Sequence, residues 1–276
     1  MLKHILVSLA LFTAAIFAIT PARMTERRGA TNVFPNPPTT ITLSSPITVK
    51  AGQSFTPLQA YTRYERGYGT CRDGEGGQAD AVFILEEGAT LNAVVIGKNQ
   101  MEGVHCLGVY FSVRVVTLAQ VTNTVSVGQC TINHVYFEDV CEDAITIKQA
   151  SGVSYINYGG AKGASDKIVQ HNGGGKVVIN SFYAENFGKV YRSCGNCKTQ
   201  FKRSVEINDS WAVSGSTLVG INTNFGDTAT IRRQRASNVK AICEKFIGNN
   251  LGNEPTKNGS GPDNVNCLYN NYDVTS

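Results

Sequence analysis

The chain has 276 residues, a formal charge of +4 at pH 7 and 42% hydrophobic residues, which is enough for one sizeable core. A positive balance this small, with no Lys/Arg run interleaved with aromatics, excludes a nucleic-acid reader and leaves room for an acidic partner. The 28 glycines against 8 prolines, with no long 3.6-residue apolar period after the N-terminus, favour short strands and tight turns over helices.

The first 22 residues read as a secretion signal. "MLKHILVSLALFTAAIFAIT" has a basic start at Lys3, an apolar run from Ile5 to Ile19 and small residues near Thr20 to Ala22. The run is short for a membrane span, so the expectation is a secreted, extracellular and unanchored chain. A monomer is expected as well. Residues 23–45 carry most of the prolines and read as an irregular leader. From residue 46 to the end the texture is even, as in one domain.

A repeat runs through that domain. "ATLNAVVI" from Ala89, "CTINHVYF" from Cys130, "GVSYINY" from Gly152, "GKVVINSF" from Gly175, "RSVEIND" from Arg203 and "DTATIRR" from Asp227 align as short strands. Their start-to-start intervals are 41, 22, 23, 28 and 24 residues. Strands and Gly/Asn turns at a period in the twenties, with no helix between them, predict a β-solenoid whose coils stack to share a core. A β-sandwich has turn signals every 8 to 12 residues and leaves this period unexplained.

Eight cysteines in an oxidising compartment predict disulfides. Cys194-Gly-Asn-Cys197 resembles half a zinc site, but no second pair stands at ligand spacing. Asn208-Asp-Ser210 and Asn258-Gly-Ser260 are glycosylation sequons. "GEGGQAD" is a loop, since it lacks the strand and helix that a phosphate cradle requires.

The charged residues follow the repeat. Counted from the start of its coil, Glu102 sits at offset 13, Glu142 at 12, Asp166 at 14, Lys167 at 15 and Lys189 at 14. Coils are about 4.8 Å apart, so these side chains are expected to form one outer ladder running from acid to base, with Arg192 just beyond. A solvated salt-bridge ladder has this composition. So does a calcium site beside a cluster of cations, since hard carboxylate oxygens suit Ca²⁺ and no His/Cys group is present for a softer metal.

The stretches "AVFILEEGATLNAVVIGKNQMEGVHCLG", "FEDVCEDAITIK", "GGAKGASDKIVQHNGGGKVVI", "NFGKVYRSCGNC" and "LVGINTNFGDTATI" resemble the secreted pectate lyases of polysaccharide lyase family three, in order, from about Ile47 onward. The resemblance implies an all-β, single-stranded right-handed parallel β-helix. It also implies Ca²⁺-dependent β-elimination of polygalacturonate, the pectate of plant cell walls. Carried over by residue, it makes Glu102, Glu142, Asp143 and nearby Asp166 the metal ligands. Lys167, Lys189 and Arg192 become the catalytic cations, with Lys148, Lys189 and Arg192 binding substrate.

The chemistry suits those residue types. The C5 proton of a galacturonate is poorly acidic beside its own carboxylate, so cations must neutralise charge as it builds. The base must be deprotonated while crowded by positive charge. Lys167, with Lys189 and Arg192 as neighbours, is the first choice, because like charges lower a lysine. Arg192 is the alternative, although a guanidinium ordinarily stays protonated. A polygalacturonase would need a carboxyl pair instead, and a non-catalytic pectin-binding solenoid would need neither. His105 reads as structural, His171 as a turn or groove-lining residue, and Trp211 as a sugar platform of unknown position.

One segment breaks the period. "VYFSVRVVTLAQVTNTVSVG", residues 109–128, stands between "HCLG" and the "CTI" strand and stretches the first interval to 41. As an extra coil it would separate Glu102 from Glu142 by about 10 Å, too far to share one calcium. An extruded insertion is therefore expected.

Overall fold

The structure, a computed structural model, describes residues 29–108 and 129–276 together with the backbone of two strands between them. The secretion signal read over residues 1–22 lies outside the described residues. No helix among the described residues is long and apolar enough to cross a membrane.

The chain winds as a parallel β-helix. Each coil contributes short strands to three faces, and equivalent strands of successive coils pair in parallel. On one face Leu91, Ile132, Ile156, Ile179, Ile207 and Ile231 stand in register. They form an interior aliphatic column that is almost wholly buried. On the next face Ile96, Phe137, Ala161, Ala184, Ala212 and Ala236 align. On the third, Val104, Ile145, Val169, Tyr191, Val219 and Cys243 do so. The β-branched residues that make these segments strand-like therefore also fill the core between the faces. Fully burying one such side chain contributes about 1.5–3 kcal/mol relative to leaving it exposed.

The bend between the first two faces has its own ladder. Asn133, Asn157, Asn180 and Asn208 each donate a side-chain N–H to the asparagine oxygen of the coil before, starting from Asn92, at 2.9–3.0 Å. The residue after each asparagine adopts a left-handed conformation: Ala93 φ 50°, His134 φ 54°, Tyr158 φ 56°, Ser181 φ 51° and Asp209 φ 52°. A left-handed non-glycine is costly, and it persists here because the rungs on either side overdetermine it. Asn208 carries the first sequon, yet its amide is committed to Asn180 and to Glu206 at 3.1 Å. The second sequon residue, Asn258, is exposed.

The leader differs from its expected form. Thr40–Thr42 is a strand paired with Arg63–Glu65. Upstream, Phe34 packs edge-on against Tyr136 with centroids 5.0 Å apart, and Ala30 N–H donates to Asp209 O at 3.2 Å. Residues 29–45 thus lie along the solenoid wall.

The long interval is not an extra coil. Thr90–Ile96 pairs directly with Thr131–Phe137, and Glu102–Cys106 pairs directly with Asp143–Ile147. Between them Arg114–Thr117 and Gln120–Asn123 form a separate antiparallel hairpin. A disulfide from Cys106 to Cys130 closes its base.

Candidate active site

The candidate face is the one that begins at Ala81–Leu85 and continues through Glu102–Cys106, Asp143–Ile147, Lys167–His171 and the ends of Tyr183–Ser193 and Trp211–Asn222. At its leading edge one row reads Ala81, Glu102, Asp143, Lys167, Lys189, Thr217. The residues that follow, among them Ala144, Ile168 and Val190, turn into the core. Acid thus passes to base along adjacent coils, and the charge ends at Thr217.

The register corrects the offset reading by one residue. Asp143, not Glu142, stands opposite Glu102. Glu142 and Asp166 precede the row, with Glu142 N–H donating to Met101 O at 3.2 Å. One residue is enough to exchange which carboxylate faces the neighbouring strand.

Glu102, Glu142 and Asp143 converge, with one carboxylate oxygen from each lying within 4.8 Å of the others. Glu102 and Asp143 are each only 4% exposed. Glu102 Oε2 and Asp143 Oδ1 have no hydrogen-bond partner. His105 Nε2 comes within 3.2 Å of Glu102 Oε2, but off the hydrogen-bonding line, so neither atom is satisfied. Burial raises Glu102 and Asp143, and it pushes Glu142 up to about 9 with the help of the adjacent Glu102 carboxyl. Buried, crowded, unpartnered carboxylate oxygens cost free energy unless a cation joins them. The donor set is all hard oxygen and fits a divalent ion of the calcium type. Asp166 is exposed and turned toward cations instead: it pairs with Lys167 and, at 3.6 Å, with Lys189, which hold it below the usual aspartate range against burial.

Lys167 departs from its expected electrostatics. Lys189 follows it on the ladder, but its ammonium sits among carboxylates: Glu142 at 3.8 Å, Asp143 at 3.8 Å and Asp166 closest of all. Burial works to lower it and is overcome by these acids, which hold it above the ordinary lysine range. Arg192 behaves in the opposite way. It is 8% exposed, its Nη1 has no partner, and its guanidinium carbon lies 3.9 Å from the centre of the Phe246 ring. Burial lowers it to about 10, against the pull of Asp227 and Glu244. Lys148 lines the same groove with Nζ 3.3 Å from His105 Nδ1.

The groove holding these residues has a volume of about 570 Å³. Lys148, Lys167, Lys189 and Arg192 form its basic side. Its walls include groups that the sequence reading missed: Glu75 and Gly76 from an upstream loop, Asn172, and Phe246 with Pro255 from later coils. Other candidates resolve differently. Cys194 and Cys197 are bonded to each other in the groove wall, which removes the zinc alternative. The remaining cysteines pair as Cys71–Cys141, Cys106–Cys130 and Cys243–Cys267. His171 is fully buried, with Nδ1 2.7 Å from Tyr191 Oη and Nε2 3.1 Å from Gly174 O, so it does not line the groove. His105 is 1% exposed, and burial lowers it to about 3, leaving it neutral. Trp211 lies on another face beneath Arg235, whose guanidinium carbon is 4.1 Å from its ring.

Comparison with known proteins now bears on this arrangement. The pectate lyase family model matches residues 31–252. The chain belongs to the pectate lyase family. Among fungal relatives it is 45% identical to a probable pectate lyase D of Neosartorya fischeri, over 86% of this chain and 90% of the relative. It is 46% identical to pectate lyase E of Emericella nidulans, over 86% of this chain and 84% of that one. Among solved structures, the catalytic domain of pectate lyase PelI from Erwinia chrysanthemi superposes with a TM-score of 0.62 at 25% identity, covering 87% of this chain and 97% of that domain. The PelI complex with tetragalacturonic acid gives a TM-score of 0.61 at 26% identity, over 82% of this chain and 69% of that one. These pectate lyase structures share the parallel β-helix.

Proposed function

We propose that the chain is a secreted pectate lyase that cleaves (1,4)-α-D-galacturonan by Ca²⁺-dependent β-elimination, degrading plant cell-wall pectin. One observation carries the reading: three convergent carboxylates, two of them buried with unpartnered oxygens, adjoin a basic wall within a single groove. A polyanion and a divalent cation together complement that division of charge.

Glu102, Glu142 and Asp143 would hold Ca²⁺, with Asp166 at the margin. Bound there, the ion would supply positive charge to the uronate carboxylate next to C5, which makes the C5 proton more acidic. Lys148, Lys189 and Arg192 clamp neighbouring uronates. Lys167 takes the C5 proton; the electron pair of that bond becomes the C4–C5 double bond, and the C4–O bond breaks. The leaving oxygen is then protonated from solvent. Of the acids that hold the proton on Lys167, Glu142 and Asp143 would also hold the cation, and a bound cation would weaken their hold on that proton.

A specific observation favours exchanging the roles of Lys167 and Arg192. Burial already weakens the hold of Arg192 on its proton, and its Nη1 is unpartnered in the groove. Incubation with polygalacturonate, with and without Ca²⁺, tests the activity. Ultraviolet absorbance of the C4–C5 double bond is expected only with Ca²⁺. Reducing ends without that absorbance would indicate a hydrolase, and binding without product a non-catalytic solenoid. In the same assay Lys167→Ala is expected to abolish turnover with oligogalacturonate binding retained. If Lys167→Ala turns over and Arg192→Ala does not, Arg192 is the base.

A further inference from the structure

A second cavity lies at the bend between the first two faces of the coil, whereas the groove runs along the third. It has a volume of about 350 Å³ and shares no lining residue with the groove. Five rings line it: Phe34 from the leader, and Tyr61, His134, Tyr136 and Tyr158 from the wall. The asparagine ladder brings two of them together. His134 and Tyr158 follow Asn133 and Asn157, which are bonded to each other, and their rings stack with centroids 5.1 Å apart and planes inclined by 17°. Tyr136 meets Tyr61 at 6.0 Å on one side and Phe34 at 5.0 Å on the other. Tyr61 is outside the ladder, yet it too is left-handed, with φ 65°, a costly conformation for a bulky side chain.

The lining carries no formal charge. No Asp, Glu, Lys or Arg belongs to it, and burial lowers His134, so its imidazole is neutral near pH 7. Lys162, 4.8 Å from the centre of the Phe34 ring, is paired with Glu185 at 3.1 Å and is not in the lining. A uronate placed here would lose hydration without gaining a counter-ion, so the anionic substrate of the groove is disfavoured. Polar groups are present all the same. Thr31 and Ser181 contribute hydroxyls to the lining, and the Tyr61 and Tyr158 hydroxyls form no hydrogen bond among the described residues. Flat apolar ring faces with a few donors and acceptors complement a pyranose, which has C–H faces edged by hydroxyls. A volume near the lower bound of small-molecule cavities suits one or two sugar rings.

We propose that this cavity binds an uncharged pyranose unit of a polysaccharide, at a site separate from the groove. Methyl-esterified galacturonan and a neutral hexan are the two sources of such a unit. With two sites on one chain, a mixed polysaccharide surface would be held with avidity while the groove engages its charged stretches. The site does not depend on the cation-binding reading, so either can fail alone.

Nuclear magnetic resonance of the full chain in chelator tests this through the His134 imidazole, since His105 and His171 are buried at 1% and 0% exposure. The probes are fully methyl-esterified trigalacturonate and a galactotriose, with unesterified trigalacturonate as control. At least one uncharged probe is expected to shift the imidazole signal saturably, and whichever does so identifies the source. Tyr61→Ala and Tyr158→Ala are each expected to weaken that binding by about tenfold or more, with turnover of polygalacturonate unchanged. Their melting temperatures show whether each variant folds, and the response of the parent chain is decisive without them. No response to either uncharged probe overturns the proposal, as does equally tight binding of unesterified trigalacturonate at His134. Folded variants that bind within about twofold of the parent chain overturn it as well. So does a signal that moves with protein dilution in place of sugar, which would make the cavity a contact between two copies.

Discussion

At Glu142, burial and the neighbouring Glu102 carboxyl push the side chain up to about 9, whereas in an unfolded chain a glutamate titrates near about 4.3. Between those values the folded, metal-free protein binds more protons than the unfolded one, so stability falls as pH rises. Asp143 is raised by burial and acts in the same direction. Lys167, held above the lysine range, contributes stability that is lost only at pH beyond this window. Asp166, held low, contributes stability lost only below it. Below about pH 6.5 the buried His105 and His171, both lowered to about 3, oppose this trend, because the unfolded chain protonates them. In chelator the melting temperature is therefore expected to drop from about pH 7 to about pH 9, and Glu142→Gln should flatten that slope. Binding of Ca²⁺ near neutral pH should expel at least about one proton, measurable by calorimetry in buffers of different ionisation enthalpy. A melting temperature independent of pH, with no proton release, would show that these carboxylates are ionised in the free protein.

Individual elements of the coil carry separable loads. An interior rung of the asparagine ladder such as Asn157 both donates to Asn133 and accepts from Asn180. Asn157→Ala removes both bonds and is expected to cost about 1–3 kcal/mol in chemical denaturation, with turnover retained. An effect confined to turnover would mean that the ladder serves the groove instead of the bend. We propose that residues 109–128 are an extruded insertion, since the coils on either side pair directly and Cys106–Cys130 closes the base. Their deletion, joining Gly108 to Gln129, is expected to leave stability and Ca²⁺-dependent activity intact or raised. Failure of that variant to fold would show that the hairpin supports the coil stack.

The whole molecule extends further toward the N-terminus than its repeat does. Phe34 contacts Tyr136 and Tyr183, which belong to different coils, and Lys162 Nζ lies 4.8 Å from the centre of its ring. The leader therefore bridges coils on a wall away from the candidate groove. Phe34→Ala should destabilise the protein by about 1–3 kcal/mol without altering turnover, because a half-buried aromatic and its edge contacts are lost far from the groove. A loss of turnover at unchanged stability would place the leader in the catalytic machinery.

What the sequence determined by itself was periodic and local. Strand-forming residues recurring every twenty-odd positions, with asparagine at each bend, dictate a stack of coils. A charge order that runs from Glu102 through Glu142 and Asp166 to Lys167 and Lys189 then points to one face as the candidate site. Tertiary structure decided everything that depends on register or on distant closure. A shift of one residue at the start of a strand put Asp143, and not Glu142, opposite Glu102, and no count along the chain resolves a step that small. Phe246 reaches Arg192 from a later coil, and Glu75 joins the groove wall from an earlier loop tied down by the Cys71–Cys141 bond. His171, polar and next to a glycine run, turned inward because Tyr191 and Gly174 offer it partners there. Eight cysteines allow about 105 pairings, so the Cys71–Cys141 bond that ties an upstream loop beside Glu142 was invisible until folding chose it. Periodicity fixes neighbours one coil apart; contacts across several coils depend on how loops and disulfides close, and those energies belong to the folded chain alone.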